Sequence, residues 1–224
     1  VVFEDLPLER FGNRIPQFSF EVFRAVNLPA AGPEAGTPLP ALVKGVALSP
    51  GTGEFALETE PVAYIYDGGV RANANIHTHE GRPDLLVALD HLEAELPECG
   101  AVSLVVSWFG SDLRCGRCRV EPKAEAADRS AEPVAWEVCG LTADTARLVS
   151  RDPEGRPIFG GTPSDRSVVN AIRELKRRGQ KVMLYPFLLM DIPAGNGLPD
   201  PYGRDEQPPF PWRGRITLDA APGQ

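Results

Sequence analysis

Long apolar runs are missing from this sequence. Nothing in its 224 residues approaches the roughly 18–20 consecutive apolar residues that a membrane-spanning helix needs. The best run, 182–190, is interrupted by Pro186 and suits a buried strand. Cysteine is scarce. Cys99, Cys115, Cys118 and Cys139 are too few for a disulfide framework in a chain this long, and they do not indicate a redox compartment. A basic face is missing too: 23 Lys and Arg stand against 31 Asp and Glu, and the net charge is −8. Only Lys176, Arg177 and Arg178 cluster, so nothing is available to neutralise a phosphate backbone, and nucleic acid is excluded as a direct partner. The opening Val1-Val2-Phe3-Glu4-Asp5 lacks an initiator Met, a basic n-region and a small-residue cleavage site. It reads as a strand cut midway and not as a signal peptide. What the chain does have is 42% hydrophobic residues, enough for a globular core.

The first 27 residues read as two strands, 1–3 and 18–23, joined by a loop punctuated by Gly12, Asn13 and Pro16. In the second strand Phe18, Phe20 and Val22 alternate with polar residues, as in a half-buried strand. A hairpin alone cannot bury a core, so it is expected to complete a sheet supplied from elsewhere. Residues 28–40 are rich in Pro, Gly and Ala and read as a linker; with the β-like runs 43–48 and 62–66 they form a small β element over 28–70.

From Pro83 the apolar period changes. Leu85, Leu86, Leu89, Leu92 and Leu96 predict an amphipathic helix, and the continuous apolar run 101–109 predicts a strand covered on both faces. A long irregular stretch, 110–162, follows, with one strand near Trp136 and a short helix over 143–149. Ser164 is placed to cap a second helix with the stripe Val168, Val169, Ile172 and Leu175, ending at Gly179; 181–190 is a second buried strand. This alternation predicts an α/β fold in which 101–109 and 181–190 lie side by side in parallel, linked by a crossover through the second helix. A closed eight-stranded barrel takes about 250 residues, so 71–224 reads as the first part of a barrel or a very small one.

Several of these segments resemble a known family. Val1-Val2-Phe3-Glu4-Asp5-Leu6 with Phe11-Gly12-Asn13-Arg14-Ile15-Pro16 is similar to a signature that closes a hub domain in large tail-tip proteins of long-tailed phages. Trp108-Phe109-Gly110-Ser111-Asp112-Leu113-Arg114, Gly160-Gly161-Thr162-Pro163-Ser164-Asp165 and Tyr185-Pro186-Phe187-Leu188-Leu189-Met190-Asp191-Ile192-Pro193-Ala194-Gly195-Asn196 look like the TIM-barrel-like region of the gene transfer agent tail protein. That protein is also called the baseplate megatron or host-specificity protein. Pro208-Pro209-Phe210-Pro211-Trp212-Arg213-Gly214-Arg215-Ile216 extends the likeness almost to the end. The resemblance implies an N-terminal β-hairpin completing a hub sheet, followed by a partial TIM-barrel-like domain related to glycoside hydrolases. It also implies a homotrimeric hub at the virion tail tip, assembled in the bacterial cytoplasm with other tail-tip and baseplate proteins. A host envelope glycan is the implied ligand, and no cofactor is implied.

In β/α barrels the reactive groups sit at the C-terminal ends of strands. That places Trp108 and Asp112 after the first buried strand and Asp191 after the second. Glycoside hydrolysis needs two carboxyl groups about 5–9 Å apart, and Asp112 with Asp191 is the best candidate catalytic pair. Trp108 or Trp212 could form a sugar-stacking platform. The alternative is structural: Trp108 in the core, Asp112 binding loop backbone and Asp191 capping the turn before Pro193. His77-Thr78-His79-Glu80 brings possible metal ligands together, but His91 is the only other histidine, so a polar loop explains it as well and no metal is expected. Cys115-Gly116-Arg117-Cys118 has knuckle spacing without a second pair, which leaves a local disulfide or free thiols ahead of zinc. The glycines at 155, 160 and 161 lack a Walker lysine and mark a loop.

The function that the resemblance implies, with the orphan hairpin in keeping, is that of a structural tail-tip component taking part in host attachment and DNA delivery. The alternative is a glycoside hydrolase domain degrading a bacterial envelope glycan.

Overall fold

The computed structural model describes residues 39–49 and 53–223. The N-terminal hairpin and most of the linker lie outside the described residues. The described part is mixed α/β. In chain order it comprises α1 (Leu39–Leu42), β1 (Gly45–Leu48), β2 (Ala63–Tyr66), β3 (Arg71–Asn73), α2 (Asp84–Glu95), β4 (Ala101–Gly110), β5 (Val120–Glu121) and β6 (Lys123–Ala124). Then come β7 (Arg129–Glu132), β8 (Glu137–Val138), β9 (Leu141–Thr142), β10 (Arg147–Leu148), α3 (Asp165–Arg177) and β11 (Lys181–Met190).

A parallel sheet in the order β1-β4-β11 organises these elements, with β5 folded back antiparallel on the end of β4. Lys181 pairs with Ala101 and the register runs unbroken to Met190 opposite Gly110, so the two long strands end together. They are parallel neighbours with α3 between them in sequence, as their patterns predict. The run at 45–48, read as part of a separate small β element, pairs in parallel with 101–104 and is the first strand of this sheet.

Alternation along β4 decides what each face does. Val102, Leu104 and Val106 point to the helices and are buried with Leu85 and Leu89 of α2, Ala171 and Leu175 of α3, and Leu57. Ser164 caps α3, its hydroxyl accepting from Ser167 N–H at 3.2 Å, and Gly179 closes it at a φ of 81° that favours glycine. The buried stripe of α3 is Ser167, Ala171 and Leu175, while Val169 is exposed. Arg178 ties the two helices, its guanidinium reaching Asp90 at 2.7 Å, Glu93 at 3.1 Å and Glu174 at 2.7 Å.

Two expectations are corrected. β11 is a strand but is not buried among the described residues: Met183, Leu184 and Tyr185 are 61%, 51% and 37% exposed, because it occupies the sheet edge and no described strand lies beyond it. Residues 143–149 do not form a helix. The amides of Thr145 and Ala146 both reach back to the Thr142 carbonyl for a single turn, after which β10 extends to pair with β6. Ladder partners for the backbone win over the helical tendency of so short a segment.

The stretch between β4 and α3 packs a second core with the loop before β2. Phe55, Val62, Tyr64, Ala124, Val134, Trp136 and Val138 form it, and β7 pairs antiparallel with β2. Trp136 is fixed by its indole N–H donating to the Thr162 carbonyl at 2.7 Å. No helix among the described residues is long and apolar enough to cross a membrane.

Candidate functional site

The C-terminal ends of β4 and β11 carry the residues singled out from the sequence. Asp112 follows β4 by two residues and is buried. Its Oδ1 accepts from Arg114 N–H at 2.8 Å, Arg114 Nε at 2.9 Å and Gln207 Nε2 at 2.7 Å, and its Oδ2 from Arg114 Nη2 at 2.6 Å. Burial raises its pKa, but these hydrogen bonds and the Arg114 charge together outweigh it and hold the carboxyl below the usual range. Gln207 in turn accepts from Leu113 N–H at 2.8 Å, so Asp112 fastens the 207–217 segment to the end of β4.

Asp191 stands one residue beyond β11, and its amide donates to the Gly110 carbonyl at 3.0 Å. Its side chain is 0% exposed. Oδ2 accepts from Lys123 Nζ at 2.7 Å and Ser150 N–H at 3.1 Å, whereas Oδ1 is buried with no hydrogen-bond partner. Lys123 is positioned by β6, whose Lys123 N–H donates to Thr162 Oγ1 at 3.2 Å. Its ammonium lies 6.0 Å from the centre of the Phe109 ring, and Phe109, Phe159 and Phe210 follow one another in tilted and edge-to-face contact at 5.6 and 5.7 Å. A buried ion pair beside the Phe109 ring therefore sits where the two long parallel strands end.

The two tryptophans make other contacts. Trp108 belongs to the helix-facing register of β4 and packs between the two cores. It lines an apolar groove of about 350 Å³ with Val106, Val138, Val168, Val169 and Leu184. Trp212 is 69% exposed and lies over Gly214, where a Cβ would come within 2.2 Å of its ring. Beside it the Arg213 guanidinium stacks 3.9 Å from the Phe187 ring and donates to the Tyr185 hydroxyl at 3.0 Å. These groups make an aromatic and cationic surface on the face of β11 turned away from α3.

Sequence reasoning missed a second buried cluster. Glu54 Oε1 accepts from Glu125 N–H at 2.7 Å; its Oε2 lies 3.5 Å from both the Tyr64 hydroxyl and Arg129 Nη2. Arg129 lies 3.6 Å over the Tyr64 ring and also pairs with Glu125 at 3.2 Å. Burial pushes the Glu54 carboxyl up, and the opposing bonds from Glu125 N–H and Arg129 do not cancel it. Burial is likewise the main reason that the Tyr64 hydroxyl is raised. The available signal was the Gly160-Gly161 doublet: a Cβ at Gly161 would lie 2.7 Å from Glu54 Cγ.

His77 is held by Asp84, its Nδ1 2.7 Å from Oδ2, and the described residues contain no group of three or more His, Cys, Asp or Glu able to hold a metal ion. All four cysteines are free thiols. Compared with protein-family models and with curated proteins, the sequence matches none.

Proposed function

We propose that this chain is a structural component of the tail tip or baseplate of a phage-like particle of the gene transfer agent type, taking part in host attachment and DNA delivery. In this reading the β1-β4-β11 sheet is the opening part of a TIM-barrel-like domain. The protein works as a homotrimer among other tail-tip proteins in the virion, after assembly in the bacterial cytoplasm. The observation that carries the reading is the side of the sheet left open among the described residues. Helices cover one face, while the β11 edge and the opposite face present Ala47, Met183 and Tyr185 to solvent. An apolar edge strand ten residues long invites pairing, and a domain that works alone is under pressure to blunt it; a domain inside an assembly is not.

The test is photo-crosslinking from position 183 in intact particles, combined with gold labelling of the protein. We expect adducts to other tail-protein segments and label at one end of the tail. Label on the capsid, or no label on particles, refutes the reading.

A second reading, a glycoside hydrolase domain acting on an envelope glycan, is favoured by one observation: the buried Asp191 carboxyl, with Oδ1 unpartnered, at the strand end where β/α barrels place reactive groups. Activity on peptidoglycan or surface polysaccharide that disappears in Asp191→Asn supports it. Full retention of activity in that variant removes Asp191 from the reaction.

A further inference from the structure

We propose that Cys115 and Cys118 form a reversible dithiol–disulfide pair, a modification site that exchanges with the disulfide of a small thiol. The backbone brings the two together. Arg117 N–H and Cys118 N–H both donate to the Arg114 carbonyl at 2.9 Å, the i+3 and i+4 bonds of one helical turn. Positions three apart on such a turn have Cα atoms about 5 Å apart. That lies inside the roughly 4.4–6.8 Å window that a disulfide spans. Gly116, between them, is exposed, and a Cβ there would meet nothing within 4 Å, so the turn is free to adjust as the bond closes.

The two thiols differ in access, and that difference assigns their order of reaction. Cys115 is exposed and Cys118 is half-buried, its Sγ near Gly110 together with the Met190 sulfur. The Cys115 thiolate attacks one sulfur of a low-molecular-weight disulfide such as oxidised glutathione. The S–S bond breaks, a mixed disulfide forms on Cys115, and one thiolate leaves. The Cys118 thiolate then attacks the Cys115 sulfur, the mixed disulfide breaks, and the second small thiolate leaves. The two cysteines are oxidised together, and one small disulfide is reduced to two thiols.

The turn also joins two segments. Cys115 N–H donates to the Thr217 carbonyl at 2.7 Å, and Thr217 N–H donates to the Leu113 carbonyl at 2.8 Å. Closing the ring therefore stiffens the attachment of the 207–217 segment to the end of β4. Cys99 and Cys139 stand outside this turn and have no partner three residues away.

The experiment treats the folded chain, carrying Cys139→Ser to remove the other exposed thiol, with oxidised glutathione and reads intact mass and peptide maps. The expected product has lost two hydrogens, carries no glutathione and yields a peptide linked between residues 115 and 118; dithiothreitol restores the starting mass. Cys118→Ser is expected to trap one glutathione on Cys115. A stable glutathione adduct on Cys115 with Cys118 intact overturns the proposal, as does absence of the linked peptide after oxidation. Peptide mapping of the chain with both cysteines present keeps the test decisive if Cys118→Ser fails to fold.

Discussion

Replacing Lys123 by Met tests whether the Lys123–Asp191 pair is a dry ion pair. Met keeps much of the lysine stem's volume, so packing against Phe109 changes little, and the perturbation is the loss of one charge. Asp191 is left with a side chain 0% exposed and Ser150 N–H, at 3.1 Å, as its one remaining donor. Removing one partner of a buried pair costs about 3–5 kcal/mol, because the other charge stays desolvated. At roughly 2–4 °C per kcal/mol for a chain of this size, the melting temperature falls by about 10 °C. Urea denaturation is followed by tryptophan fluorescence. Buried Trp136 is a local reporter, since Thr162 accepts both its indole N–H and the Lys123 amide. Combining Lys123→Met with Asp191→Asn removes the stranded charge, and the double variant is expected to be more stable than Lys123→Met alone. A loss below about 1 kcal/mol in Lys123→Met would mean that Asp191 is hydrated, and the argument from burial would fail.

Four further predictions follow from the same geometry. Leu104→Ala, at a 0% exposed site under both helices, is expected to cost about 2–5 kcal/mol in urea denaturation, whereas Leu184→Ala, at a 51% exposed site on β11, stays within about 0.5 kcal/mol. Hydrogen bonding from Arg177, opposed by burial and reinforced by Arg178, holds the Glu174 carboxyl down at about 2. Because the folded value lies below the unfolded one of about 4.3, this stability is present above that pH and lost as pH falls through about 2. NMR titration should show the Glu174 midpoint rise in Arg177→Ala. Glu54 behaves oppositely: with its folded-state pKa raised by burial, its contribution is full below the ordinary glutamate value and lost as pH rises through the folded one. Stability measured against pH in Glu54→Gln should lack that component; an unchanged profile counts against the assignment. Gly161→Ala brings a Cβ to 2.7 Å from Glu54 Cγ and 3.0 Å from Glu125 N, and an expected loss of about 1–3 kcal/mol is read from its thermal midpoint.

Periodicity along the chain was enough to place both longer helices and both long strands. A 3.6-residue or 2-residue repeat records which face meets the core, and that information is local. Leu85 and Leu89, the 101–109 run, the Ser164 cap and the Gly179 stop all carry it. The parallel pairing of β4 with β11 was legible too, because a strand, helix and strand in succession leave few other connections. The tertiary structure alone decided which distant groups meet. Gln207 reaches Asp112 across 95 positions, Lys123 reaches Asp191 across 68, and the short run at 45–48 joins β4 across an intervening helix. Two-residue strands such as β6 and β10 carry too few side chains to show a period, so they exist only because each supplies the other's backbone partners. Asp112 is fastened mostly by a neighbour, since Arg114 two residues on supplies three of its four hydrogen bonds, and only Gln207 comes from afar. Asp191, whose Oδ2 is held by Lys123 and Ser150 while Oδ1 has no partner, depends wholly on chain that is distant in sequence.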